Sequence, residues 1–396
     1  MGGLLTGIIY LSAGAIAGYY ALPALKPIAE LLSVTYFISA LNIVQVSLLR
    51  KKMDFRKLFM VNASSTIISG GVAIALALAG WGVWSLVWKM IVFVSVANLV
   101  LWLGSNWRPK LTWSKESLKE IMGFSLPLLG TQSLNYWVRN IDNLLIGKYL
   151  GDSALGFYNQ SYRIMLIPVS QITGVISNVL FPSLAQIQDD KVRIKKIYLK
   201  VTKLLSFVTF PLMFGLCALA EPFVQIVLGE KWMPMVPVLR YLSIVGAFQS
   251  IGTLNGNIFQ ATGKTKYQFW VGFTPRLLYV VAIVCGLSGG VESVAAYYMT
   301  AVLISSFYMY YFMGRLIDMR VSEVLRSFGG NLLVSILMSG IAYWTYLTCL
   351  SSLSLSYTLS FITATCIGVL TYFMIFWIVN REELYSHVST LKAFKK

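Results

Sequence analysis

Apolar residues in this chain come in blocks of about twenty, separated by short polar stretches rich in lysine and arginine. A helix needs about 20 apolar residues to cross the hydrocarbon core of a bilayer. On that measure the blocks predict twelve spans, at 3–22, 28–49, 58–79, 82–105, 120–147, 154–186, 201–228, 236–262, 267–287, 293–313, 329–350 and 355–380. The expected fold class is therefore an all-α polytopic membrane protein. The sixth and seventh spans are long and contain Pro168, Pro182, Pro211 and Pro222, so kinks or a broken end are expected there. No loop is long enough to form a soluble domain. The connection Glu221–Pro237, with Gly229, Trp232 and Pro234, reads as a short interfacial structure with an aromatic anchor.

Charge alternates with the spans. Loops within 50–57, 108–119, 191–203, 264–266 and 315–326, and the tail from 381, together hold twenty-four basic residues. The opposite loops hold four: Lys26, Lys148, Lys231 and Arg240. Dropping one span would scramble that pattern. The positive-inside rule then places both termini and the basic side in the cytoplasm. The bland reading of these charges is topology together with unspecific headgroup contact.

Composition narrows the function. Of 396 residues, 57% are hydrophobic and only 12% are charged, about half of the roughly 25% usual in a soluble domain. That excludes an ordinary cytosolic enzyme, a nucleic-acid-binding module and a disordered chain. The net charge of +17 follows from the loop asymmetry and does not call for nucleic acid. The single histidine, His387, lies near the C-terminus, which leaves no Ser-His-Asp set and no His-based metal site. Cys217, Cys285, Cys349 and Cys366 are far apart in apolar runs and read as packing residues. No basic n-region of a signal peptide precedes the first apolar run. Neither catalytic residues nor a cofactor or metal is expected.

Apart from charges at span ends and connections, four cations remain inside spans, Lys89, Arg139, Arg163 and Arg276, with the acid Asp142. Each cation facing lipid at mid-helix costs roughly 2.5–3.5 kcal/mol. They must therefore face protein, one another or water. Counted inward from the outer span ends at 1.5 Å per residue, all four lie about 12–17 Å deep. Two readings stay open. One is a basic belt around a central cavity. In the other, Arg139 pairs with Asp142 at i,i+3 while the remaining cations snorkel or cap broken helices.

Polar neighbours favour a cavity. Gln132, Asn135, Tyr136, Arg139 and Asn143 trace one face of the fifth span. Asn159, Arg163, Ser170, Ser177 and Asn178 lie close to one face of the sixth, and Gln249, Thr253, Asn257 and Gln260 follow one face of the eighth. Three such stripes are costly against lipid and natural around water. Guanidinium groups bind phosphate or carboxylate in a fork, and Tyr, Asn and Gln suit sugar hydroxyls and ring faces. The pattern points to an anionic polar substrate such as a sugar diphosphate or acidic glycan, and away from a cationic drug.

Several strings resemble a known family. They are Phe124–Leu129 (FSLPLL), Asn140–Gly151 (NIDNLLIGKYLG), Leu155–Asn159 (LGFYN), Val179–Gln188 (VLFPSLAQIQ), Leu228–Trp232 (LGEKW), Phe259–Lys264 (FQATGK) and Gly80–Leu86 (GWGVWSL). They resemble bacterial polysaccharide and O-antigen flippases of the Wzx/colanic-acid-exporter type, within the multidrug/oligosaccharidyl-lipid/polysaccharide exporter superfamily. The resemblance implies a two-lobe exporter fold with fourteen helices. Here the first four spans match helices three to six, so the N-terminal lobe is expected to be shortened by two. The expected division is 1–107 for that incomplete lobe, 108–314 for the second lobe, and 315–396 for an extra helix pair and tail.

The resemblance also implies a substrate and a location. The substrate is an undecaprenyl-pyrophosphate-linked oligosaccharide, flipped to the outer leaflet of the inner membrane by a monomer alongside membrane lipids and polysaccharide polymerase machinery. Arg139, Arg163, Arg276 and Lys89 are then the expected anion-binding residues, with Asn135, Tyr136, Asn159, Gln249 and Asn257 lining the cavity. Asp142 is a charge partner of Arg139 first and a coupling-ion site second. A multidrug-type exporter would want acids in its cavity, and a membrane glycosyltransferase or polymerase would want a sizeable outer loop. A purely structural scaffold, or an inactive truncated fragment of the flippase, is the remaining alternative.

Overall fold

A computed structural model describes residues 2–52, 54–105, 114–116, 119, 122, 136, 140–185, 187–188, 190–351 and 356–379. The chain forms two compact units, Met1–Thr131 and Gln132–Lys396.

The first unit holds α1 (Gly2–Tyr20), α2 (Leu25–Ala40), α3 (Ile43–Lys51), α4 (Phe55–Leu78) and α5 (Val83–Gly104). Helix α1 packs on α2, α4 on α5, and α5 joins the two pairs through α2. The second predicted span is divided, with α2 and α3 meeting at 43°. The break at Leu41–Asn42 contains neither Pro nor Gly. Helix α5 supplies its cause: Asn98 Nδ2 donates to the Ile38 carbonyl at 2.7 Å and Trp102 Nε1 to the Leu41 carbonyl at 3.2 Å. The Leu41 carbonyl is satisfied by that side chain, and the Ile38 carbonyl takes Asn98 beside the Leu41 amide at 3.2 Å, which is how a broken helix is tolerated at membrane depth. Asp54 then starts α4 by accepting from the Lys57 amide at 3.1 Å.

The second unit holds α6 (Gly151–Ala185), α7 (Lys191–Ala218), α8 (Ala220–Val227), a 3-10 turn (Glu230–Met235), α9 (Val236–Ala261), α10 (Thr265–Gly286), α11 (Gly290–Leu316), α12 (Val321–Ser351) and α13 (Tyr357–Val379). Helix α9 is the hub. It packs against α6, α7 and α11, while α10 lies on α11 and α12 bridges α7 to α13. Val238, Leu242, Val245, Ile251, Leu254 and Ile258 of α9 are fully buried. Gly246 of α9 packs tightly against both α6 and α7, since a Cβ there would stand 2.6 Å from Met165 Cγ and 2.8 Å from Met213 Sδ.

Eight helical stretches among the described residues are long and apolar enough to cross a membrane, or nine if the bent α2–α3 pair is one span. One of the eight, Tyr267–Leu316, contains both α10 and α11. The expected span 120–147 lies largely outside the described residues. Helix α6, at 35 residues, is also long enough to cross a membrane. The chain is thus an all-α, multi-pass membrane protein. Helix ends depart from the apolar blocks. The seventh helix runs Lys191–Ala218, not 201–228. Its basic first turns are amphipathic, with Ile194 and Tyr198 buried, and Asp190 caps it by accepting from the Arg193 amide at 2.9 Å. The helices continue through Pro168, Pro182 and Pro211 and break at Leu219, just before Pro222. Trp232 packs edge-on against Phe157 of α6, ring centroids 6.0 Å apart. Of the cysteines, Cys349 is buried and Cys217 half-buried, whereas Cys285 and Cys366 are exposed on spans rather than packed inside.

Candidate functional site

The helical segment 140–149 carries Asp142, and the turn at Leu150–Gly151 leads from it into α6. Gly151 takes φ +88°, a left-handed conformation that side chains resist. The two helical stretches share a core, in which Ile146 and Tyr158 are both fully buried. Asp142 Oδ1 accepts the Asn143 amide at 2.8 Å. Tyr158 turns its hydroxyl toward the same carboxyl but closes no hydrogen bond of standard geometry among the described residues.

From there a chain of tyrosines crosses three helices. Tyr158 stacks on Tyr162 with centroids 6.4 Å apart. Tyr162 and Tyr298 of α11 lie close to one another. Tyr298 meets Tyr279 of α10 edge-on at 5.4 Å. Tyr279 lies one turn from Arg276 on α10. Asp142 and Arg276 thus stand at opposite ends of one hydroxyl-lined aromatic chain. Arg276 is half-buried, and its guanidinium folds back along α10 beside Gly272.

Two polar faces flank this core. On α6, Asn159, Arg163 and Ser170 are exposed, opposite the buried Tyr158, Ser161, Met165 and Val169. On α9 the stripe expected from the sequence forms the outer edge of an otherwise buried helix. Thr253 and Gln260 are exposed there, and Gln249 and Asn257 are half-buried. Gln249 Oε1 is a buried acceptor with no hydrogen-bond partner among the described residues. An unmatched amide oxygen costs about 1–3 kcal/mol, so this edge can accept a hydrogen-bond donor without displacing an existing bond.

The other expected site residues fall differently. Lys89 is exposed on α5, in the first unit, and Tyr136 is exposed. Arg139 and Asn135, with the Arg139–Asp142 pair, lie outside the described residues, as do the side chains of Ser177 and Asn178 and all of His387. Sequence reading missed Tyr158, Tyr162, Tyr279 and Tyr298. Only the i,i+4 spacing of Tyr158 and Tyr162 hinted at a shared face. Asn255 was missed as well. It is buried on α9 and accepts from the Tyr198 hydroxyl at 2.9 Å, which makes it packing glue.

Comparison with known proteins gives a consistent family signal. Residues 1–237 match the family described as "Polysaccharide biosynthesis protein". The chain is 28% identical over 346 residues to the teichuronic acid biosynthesis protein TuaB of Bacillus subtilis (strain 168), covering 86% of this chain and 71% of TuaB. It is 27% identical over 267 residues to the lipopolysaccharide biosynthesis protein WzxC of Escherichia coli (strain K12), covering 67% of this chain and 54% of WzxC. In backbone it is similar to the Lipid II flippase MurJ in an inward closed conformation. The TM-score is 0.75 at 17% identity, over 96% of this chain and 81% of that one.

Proposed function

The chain belongs to the polysaccharide biosynthesis protein family, and from that membership we propose that it flips an undecaprenyl-pyrophosphate-linked oligosaccharide across the bacterial cytoplasmic membrane. The observation that carries this reading is the pair of polar faces on membrane-length helices. Asn159, Arg163 and Ser170 on α6, and Gln249, Thr253 and Asn257 on α9, are costly against lipid and suit a hydrated sugar head. A fold shared with a Lipid II flippase supports a lipid-borne substrate. In this reading Arg163 and Arg276, with Arg139 and Lys89, hold the diphosphate through charge-assisted bonds. Asn135, Tyr136, Asn159, Gln249 and Asn257 meet the glycan. The protein moves its cargo by alternating access, without covalent chemistry. It is a monomer working beside polysaccharide polymerase machinery, in lobes of 1–107 and 108–314 with a helix pair beyond, and both termini are cytoplasmic.

The test is flipping of a fluorescent undecaprenyl-pyrophosphate oligosaccharide in proteoliposomes. Arg163→Ala should slow it at least ten-fold, the loss of a bond worth about 1.5–3 kcal/mol, and Arg163→Lys should recover part. Arg139→Ala should abolish it. Asp142→Asn separates the two roles of that acid. Flipping persists if Asp142 only neutralises a cation, and stops with substrate binding intact if it carries a coupling ion. Wild-type flipping by both Arg→Ala proteins at matched density would overturn the assignment.

A further inference from the structure

At one end of the first unit, α3, α4 and α5 enclose a cavity of about 350 Å³ that the transport reading does not use. Its volume falls within the roughly 300–1,000 Å³ of small-ligand sites. Leu48, Leu49, Met60, Val61, Val100 and Leu101 form its apolar wall. Lys52, Lys57 and Asp54 stand at the rim with Gln45 and Ser105. Asp54 is committed twice, capping α4 and pairing with Lys57 at 3.5 Å. Both lysines are exposed. Arg50, Lys51 and Arg56 belong to the same turn outside the lining, so the segment 50–57 carries five cations against one acid.

We propose that this cavity is a binding site for one anionic glycerophospholipid, its phosphate held between Lys52 and Lys57 and an acyl chain against the α3–α4–α5 wall. The division of chemistry makes the argument. A free phosphate uses the lysines and leaves the apolar wall wet, and a neutral lipid uses the wall and leaves the lysines unmatched. A phosphate joined to a hydrocarbon chain satisfies both at a span end, where headgroup and chain meet. Arg50 and Arg56 lie outside the lining. A seated lipid is therefore distinguishable from the diffuse attraction that any basic loop has for an acidic leaflet. The proposal is independent of what the protein transports.

The experiment is native mass spectrometry of the full chain in detergent, titrated separately with phosphatidylglycerol, phosphatidylethanolamine and inorganic phosphate. Phosphatidylglycerol should bind at one saturable site. A basic residue near an anionic surface contributes about five-fold, so Lys52→Ala/Lys57→Ala should weaken binding about 30-fold. Arg50→Ala/Arg56→Ala, which removes equal charge outside the cavity, should weaken it by less than about five-fold. Val100→Trp keeps every charge, fills the cavity and should also abolish the site. All four lysine and arginine positions are exposed, so the first two variants fold. Equal losses in both charge pairs would reduce the site to diffuse electrostatics and overturn the proposal. So would equal binding of phosphatidylethanolamine, or displacement of the lipid by inorganic phosphate at similar concentration.

Discussion

Gly246 is the point at which sequence preference and packing oppose one another most directly. In a helix interior, Gly→Ala gains about 0.8–1.0 kcal/mol from backbone preference. Here the added Cβ would stand 2.6 Å from Met165 Cγ, 2.9 Å from Met165 Sδ and 2.8 Å from Met213 Sδ. Met165 and Met213 are 0% and 1% exposed, so neither can swing into open space, and overpacking of this kind costs about 1–3 kcal/mol. Gly246→Ala should therefore be destabilising by about 0–2 kcal/mol, and Gly246→Leu by more. Met165→Ala alone should cost about 2–5 kcal/mol through the hole it leaves. The double variant places the new methyl beside that hole, so its cost should fall short of the sum by at least about 1 kcal/mol. The assay is reversible unfolding in mixed micelles with increasing dodecyl sulfate, run as a double-mutant cycle. Stabilisation of Gly246→Ala by the full helix-preference gain, or a cycle additive within about 0.5 kcal/mol, would refute the close approach of α6, α7 and α9. The point bears on transport, because α6 and α9 carry the polar faces that this contact spaces.

Other outcomes follow from named contacts. Asn331 Nδ2 donates to the Lys203 carbonyl at 2.8 Å and to Ser206 Oγ at 2.7 Å, tying α12 to α7. Asn331→Leu should cost about 1–3 kcal/mol in the same unfolding assay, and Ser206→Ala should cost less in that background than in the wild type. Tyr158→Phe removes a buried hydroxyl that closes no standard hydrogen bond among the described residues. It should change stability by less than about 1 kcal/mol, and a larger loss would mean the hydroxyl bonds Asp142 in the membrane. In a cysteine-free background, Ser288→Cys should react with an impermeant thiol reagent from outside and Arg56→Cys only from inside, and labelling of both from one side would overturn the predicted orientation.

Much of the architecture was legible because its determinants are local. A run of apolar residues must bury or meet lipid, and Asp190 or Asp54 marks a helix start by its own amide contacts. The stripe on α9 was readable for the same reason: Gln249, Thr253, Asn257 and Gln260 share a helical period, and one face of that helix stays open. Apolar length alone misjudged the ends of α7, because amphipathic turns with Ile194 and Tyr198 inward are helical without being apolar throughout. What only the tertiary structure decided involves partners distant in the chain. The break at Leu41–Asn42 depends on Asn98 and Trp102, some sixty residues away. The aromatic chain from Asp142 toward Arg276 needs Tyr298 to reach Tyr162 across the packing of three helices. Periodicity says which face of a helix is polar. Which residue that face meets depends on helix packing, and side-chain shape at contacts such as Gly246 sets that packing.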